Sequence, residues 1–152
     1  MSAPPKASSS FIATSGQLAT FRLDGDLYGV EVEHVQEVLK SQGLTRVPLA
    51  PAAVAGLINL RGQVVTAIEL RERLGRPPRP EGTDAVVIVV RLHGEAVSLL
   101  VDSIADVVDV DAADFEAPPD TLEGHARDLI RGAYKLDGQL LLALDVQKAV
   151  SA

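Results

Sequence analysis

The chain repeats itself, and this constrains its fold more than any local propensity, because a fixed-offset internal match declares the architectural unit. Residues 21–39, FRLDGDLYGVEVEHVQEVL, align without gaps on residues 90–108, VRLHGEAVSLLVDSIADVV. Each reads as a hairpin turning at a glycine, Gly25 in one and Gly94 in the other. Residues 56–74, GLINLRGQVVTAIELRERL, align likewise on residues 132–150, GAYKLDGQLLLALDVQKAV. This second match shares Gly56 with Gly132, Leu60 with Leu136, Gly62 with Gly138, Gln63 with Gln139 and Ala67 with Ala143. Two matches in the same order predict two copies of one unit: a hairpin with a short helical segment, then a second hairpin and a terminal helix. A unit of about 65 residues buries little surface alone and leaves strand edges open. Two small closed barrels packed against each other solve both problems.

Local signals agree with an all-β chain carrying a few short helices. From Gln17 onward, β-branched segments such as LATFRL, LYGVEV, AVVIVVRL and AVSLLV recur between glycine-containing turns. The clearest helix runs from Glu69 to Leu74, where Gly75 and then Pro77, Pro78 and Pro80 supply a stop and a stiff connection. A second helix is expected from Glu33 to Leu39, since Val35, Val38 and Leu39 fall at helical spacing. Residues 1–16 read as a mobile tail and 17–150 as one domain of two duplicated barrel subdomains.

Composition removes whole classes of function. The 152 residues include no cysteine, so disulfides, thiolate metal ligands and a cysteine nucleophile are excluded. A formal net charge of -7 repels phosphate backbones and anionic lipid, which argues against nucleic acid and membrane as partners. The longest apolar run, Ala85 to Val90, falls well short of the roughly 20 residues that span a bilayer. No secretory signal opens the chain, and a cytoplasmic location is expected. Phosphate-cradling glycine loops and a serine-hydrolase elbow are missing, leaving Ser98, Asp102 and Ser103 in a strand pattern. His34, His93 and His125 lie far apart without zinc spacing, and read as surface or turn residues. The acidic stretch Asp109, Asp111, Asp114 and Glu116 lacks the glycine and glutamate of a calcium loop. No cofactor, no metal and no catalytic residue are expected.

Between duplicated units, shared residues report the scaffold and differences report specialisation. The second copy turns at Asp137-Gly138, a dipeptide that tolerates positive φ at both positions. The first turns at Arg61-Gly62, and arginine has no such preference. A broken local rule marks Arg61 as a functional candidate, its guanidinium suited to carboxylate or amide partners. The competing reading is a solvated loop residue carried by Gly62. Glu37 is read as a solvated helix carboxylate or as a partner for Arg61. Val86 and Val87 open the apolar run, where core burial competes with an exposed binding edge.

The segment GLINLRGQVVTAIELRERLG, with DLYGVEVEHVQEVL before it and DAVVIVVRL and LLVDSIADVVDV after it, resembles CheW coupling proteins from Gln17 to Val150. The Asn59-Leu60-Arg61-Gly62 turn is the most specific part; members often carry proline in the following strand, where this chain has Thr66. The resemblance implies two SH3-like five-stranded barrels and a non-enzymatic adaptor. Its expected partners are the cytoplasmic tip of methyl-accepting chemotaxis receptors and the regulatory domain of a CheA-type histidine kinase, in arrays at the inner membrane. It further implies that Arg61 binds receptor, that Val35, Glu37, Val86 and Val87 line a receptor-facing groove between the barrels, and that Asn59 and Gly62 belong to a structural turn. The kinase contact is expected on barrel-end apolar surfaces. At this length there is no room for a kinase core, so a free adaptor is expected, with an adaptor for gliding or pilus-driven motility as the alternative. A small-barrel enzyme or nucleic-acid binder is the rival from another class.

Overall fold

The structure of the chain, a computed structural model, describes residues 16–40, 43–122 and 124–151 and, of His125, the backbone alone. The first copy contributes β1 (Gly16–Leu23), β2 (Asp26–Glu31), β3 (Val35–Lys40), β4 (Leu44–Thr45), β5 (Val54–Leu60), β6 (Gln63–Glu69) and α1 (Leu70–Arg73). The second contributes β7 (Val86–Leu92), β8 (Glu95–Val101), β9 (Ser103–Val110), β10 (Phe115–Glu116), α2 (Gly124–Leu129), β11 (Ile130–Leu136), β12 (Gln139–Leu144) and α3 (Val146–Val150). Apart from Gly16, which opens β1, the expected tail lies outside the described residues.

Two sheets result, ordered β10-β11-β12-β2-β1-β9 and β3-β7-β8-β6-β5-β4. Neither sheet is one sequence copy. The hairpin β1–β2 joins β9 to β12, while β7–β8 joins β3 to β6, so the copies exchange their first hairpins. The chain passes between sheets at the 3₁₀ turn Val32–His34 and again at Asp102. Each sheet counts six strands where five were expected, the extra ones being the two-residue strands β4 and β10. β3 pairs with β7 at one edge while β4, just beyond it, pairs with β5 at the other. β9 and β10 close the first sheet in the same way against β1 and β11. Among the described residues this pairing leaves no long edge open, as two small barrels require.

The shared glycines follow from this closure. A Cβ at Gly56 would collide with the Thr45 carbonyl oxygen, and one at Gly132 with the Phe115 ring and the Glu116 carbonyl. In both copies the closing strand presses backbone against backbone at a point where no side chain fits.

The expected helix over Glu33–Leu39 is a strand preceded by a 3₁₀ turn. A bulge explains the misleading spacing. Between Val35 and Glu37 the register slips, so Val35 faces Val90 and Val38 faces Ile88, partners only two apart. One extra residue thus places apolar side chains three apart on a single strand face. The helix expected over Glu69–Leu74 forms, with Glu69 and Leu74 as its caps and Gly75 at φ 70° beyond it.

Three apolar clusters hold the molecule. One fills each barrel, around Leu18, Leu27, Tyr134 and Leu141 in the first sheet and Ile58, Val87, Val89 and Leu100 in the second. The largest lies between the sheets, joining Phe21, Tyr28 and Leu142 to Ile68, Ile88 and Leu99. Each such side chain contributes about 1.5–3 kcal/mol on burial, so most of the shared core is lost if the barrels separate. One interior position lacks a partner: Ser98 is fully buried, and its Oγ makes no hydrogen bond among the described residues. Ser98→Ala is expected to raise the unfolding free energy by about 1 kcal/mol, read from urea denaturation, because a desolvated hydroxyl disappears.

Candidate functional site

Arg61 occupies the tip of the β5–β6 hairpin. Because β5 pairs with β4 through Leu44↔Ile58 and Thr45↔Leu57, the tip is carried back toward β3. There the guanidinium meets Glu37 in a forked pair, with Nη1 donating to Oε2 at 2.7 Å and Nη2 to Oε1 at 2.8 Å. The Arg61 side chain remains 77% exposed and Glu37 17%. The fork leaves most of the guanidinium facing solvent, and Glu37 fixes its plane. Its hydrogen bond to Arg61 holds the Glu37 carboxyl below the usual carboxylate range, so the pair is intact at neutral pH.

The backbone pays for this placement. Arg61 sits at φ 52° and is followed by Gly62 at φ 87°. Asp24 and His93, at φ 51° each, precede Gly25 and Gly94 in the same conformation. The contrast expected from the sequence is inverted at the fourth turn, where only Gly138 has positive φ and Asp137 does not. Arginine in the left-handed region costs about 1–2 kcal/mol. Asn59 offsets part of it, its Oδ1 accepting from the Gly62 amide at 2.9 Å. Asn59→Ala is expected to cost about 1 kcal/mol of stability, measurable as a lower thermal midpoint.

The remaining expected groove residues divide. Val35 and Val86 lie partly buried at the margin of the inter-barrel cluster. Val87 is 1% exposed and belongs to the interior of the second barrel, so a partner finds almost no surface there. The alternation of a strand explains the correction: Val86 pairs with Lys40 on one face and Val87 with Leu39 on the other. Two exposed side chains near the Arg61 hairpin were not anticipated, Val38 on β3 and Val64 on β6, at 44% and 61% exposure. Val64, paired with Asn59 at the hairpin, carries the legible signal: an apolar residue two positions after the turn glycine.

A second charged cluster fastens the barrels where the chain crosses at Asp102. Arg71, whose side chain is 8% exposed, donates to Asp102 Oδ1 and Oδ2 at 2.9 and 2.6 Å, and to the Pro77 carbonyl at 2.8 Å. Arg79 bonds Asp102 and both oxygens of Glu69, while the Asp24 amide donates to Asp102 at 2.8 Å. Burial alone would raise the Asp102 carboxyl; the Arg71 and Asp24 hydrogen bonds and the charges of Arg71 and Arg79 outweigh it and hold it down to about 2. Asp102 is therefore a structural anion, and with Ser98 interior and Ser103 on the surface no hydrolase array forms among them. Among the described residues, metal-ligating atoms converge only at Glu31, Glu33 and His34, and Glu31 already binds Arg131 at 3.1 Å. His93 is exposed, and the His125 side chain lies outside the described residues.

Two six-stranded sheets packed over a common apolar core, with a solvent-facing guanidinium propped on a hairpin tip, define a double-barrel β protein. Residues 17–152 match the model of the CheW-like domain, and the chain belongs to that family. A chemotaxis protein CheW of Treponema pallidum (strain Nichols) is 31% identical over 140 residues, spanning 90% of this chain and 82% of that protein. Another from Rhizobium meliloti (strain 1021) is 30% identical over 130 residues, spanning 86% and 84%. The crystal structure of the scaffolding protein TtCheW from Thermoanaerobacter tengcongensis superposes with a TM-score of 0.76 at 29% identity, covering 87% of this chain and 90% of that one. Among the described residues no helix is long and apolar enough to cross a membrane.

Proposed function

We propose that this chain is a non-enzymatic adaptor of chemotaxis that binds the cytoplasmic tip of a methyl-accepting receptor and the regulatory domain of a CheA-type histidine kinase, and so places the kinase under receptor control. The observation that carries this reading is the exposed, carboxylate-braced guanidinium of Arg61. A braced arginine beside exposed valines has the composition of an interaction anchor, in which a few side chains supply most of the binding energy. The names borne by the relatives, chemotaxis protein and scaffolding protein, support the same reading. Glu37 positions Arg61, and Val35 and Val86 supply apolar margin to the receptor-facing groove. Asn59 and Gly62 hold the turn. The adaptor works in the cytoplasm, held at the inner membrane by its receptors.

Reconstitution tests the proposal. Purified chain, a receptor cytoplasmic fragment and the kinase are expected to sediment as one complex in which receptor state changes autophosphorylation. A chain that binds neither partner, or that leaves the kinase indifferent to the receptor, overturns it.

A further inference from the structure

Each half of the chain lends a hairpin to the other's sheet. Residues 16–75 supply β3 to β6 of one sheet and the β1–β2 hairpin of the other; residues 86–151 supply β9 to β12 and the β7–β8 hairpin. Both hairpins lie between foreign strands: β1 pairs with β9 and β2 with β12, while β7 pairs with β3 and β8 with β6. The interiors are shared likewise. Leu18 and Leu27 pack with Tyr134 and Leu141 in one cluster, and Val87 and Leu100 with Ile58 in another. Either half alone would hold a sheet lacking two inner strands and a hairpin lacking a sheet, with edges and apolar faces open to solvent.

The halves complete each other, and only the connection between them fixes which second half a first half receives. Its early part is fastened to the first half: Arg76 reaches Asp24, Arg79 reaches Glu69, and the Pro77 carbonyl accepts from Arg71. Arg71 and Arg79 also hold Asp102 of the second half, a contact that any second half would restore. Past Pro80 the connection folds back on itself. The Thr83 amide and hydroxyl both donate to the Pro80 carbonyl, at 3.3 and 2.6 Å, around Gly82 at φ 84°. Residues 81–84 are exposed, and a Cβ at Gly82 would meet nothing within 4 Å beyond its chain neighbours, so backbone conformation alone favours glycine there. Opening this turn lets residues 81–85 extend over roughly 17 Å, away from their own molecule.

We propose that two copies of this chain form a dimer by exchanging halves, with the Pro80–Thr83 turn as the hinge that opens. Each two-sheet body of the dimer is then built from the first half of one chain and the second half of the other. Every strand pairing and cluster contact of the monomer is remade, and only the turn changes, which is the condition under which exchange demands least. Separating the halves exposes the common core, so exchange is slow and a dimer once formed persists. The dimer carries two Arg61 hairpins on one assembly, whatever Arg61 binds.

Refolding the full chain from urea at high protein concentration, followed by size-exclusion chromatography with light scattering, is expected to give a dimer that survives dilution. Gly82→Val disfavours the left-handed turn without touching either sheet, and is expected to raise the dimer-to-monomer ratio about tenfold. Exchange itself is read from the double variant Gln17→Cys with Asp109→Cys. These exposed positions face each other across β1 and β9, one in each half of a chain that has no cysteine of its own. After oxidation the dimer fraction is expected to run as a covalent dimer in a denaturing, non-reducing gel, while the monomer fraction closes its disulfide within one chain. A dimer fraction that runs as single chains would mean two intact molecules touching by their surfaces, and overturns the proposal. So does a chain that stays monomeric at every concentration, or a dimer proportion that Gly82→Val leaves unchanged, a readout that needs no cysteine.

Discussion

Asp102→Ala is expected to lower the unfolding free energy by about 4 kcal/mol, because it removes one partner of a largely buried ion pair and leaves the other behind. Arg71 is the residue left behind: its side chain is 8% exposed and, among the described residues, would keep only the Pro77 and Pro78 carbonyls within bonding distance, with Asp24 at 3.9 Å. The same change frees Arg79 from one of its two carboxylates and the Asp24 amide from its acceptor. Urea denaturation measures the loss, and a cost below about 1 kcal/mol would mean that the cluster is a surface ornament of the kind exposed pairs usually are.

Acid gives an independent reading of the same carboxylate. The folded state holds Asp102 to about 2, against an ordinary value of 3.8. A depressed carboxyl stabilises the fold fully above its unfolded value and loses that contribution as pH falls toward the folded one. Native stability should therefore drop between pH 4 and pH 2, and Asp102→Asn should flatten that part of the profile. Since Asp102 lies where the chain crosses from one barrel to the other, the variant should also loosen the angle between barrels. Faster amide exchange at the β1–β2 tip would report this.

Arg61→Ala is expected to weaken receptor binding about thirtyfold, the range of an interface anchor, while leaving the kinase contact and the fold nearly intact. The fold survives because the side chain is exposed and its only charged partner among the described residues is Glu37. Arg61→Asn is the stricter control, since asparagine accepts the left-handed φ and keeps the turn while removing the guanidinium. Arg61→Lys should recover little, because a forked pair needs two parallel donors. Glu37→Ala is expected to weaken binding less than Arg61→Ala, and the double variant to be no worse than Arg61→Ala, if Glu37 acts by holding the arginine. Isothermal titration against a receptor fragment measures all five. Equal losses toward receptor and kinase would count against separate faces.

The doubling, the glycine turns and the strand-rich character are local patterns, and each could be read along the chain. The Arg61 turn stands out for the same reason: the aligned turns Leu60–Gln63 and Leu136–Gln139 differ at one position, Arg61 against Asp137. Where local reading failed, a distant contact intervened. The spacing of Val35 and Val38 suggested a helix because nothing nearby announces the bulge opposite Val90. Val87 looked as available as Val86 until the pairing with β3 assigned them to opposite faces.

Periodicity and turn chemistry along 152 residues were enough to read a strand-rich chain in which a hairpin pattern recurs. Which hairpins share a barrel was settled only in three dimensions, as were the brace of Glu37 on Arg61 and the meeting of Asp102 with Arg71. The reason is physical: a residue's neighbours in sequence set its local conformation and the face it presents. Partners 24 or 31 positions away are chosen by how whole sheets pair, cross and bury their common core.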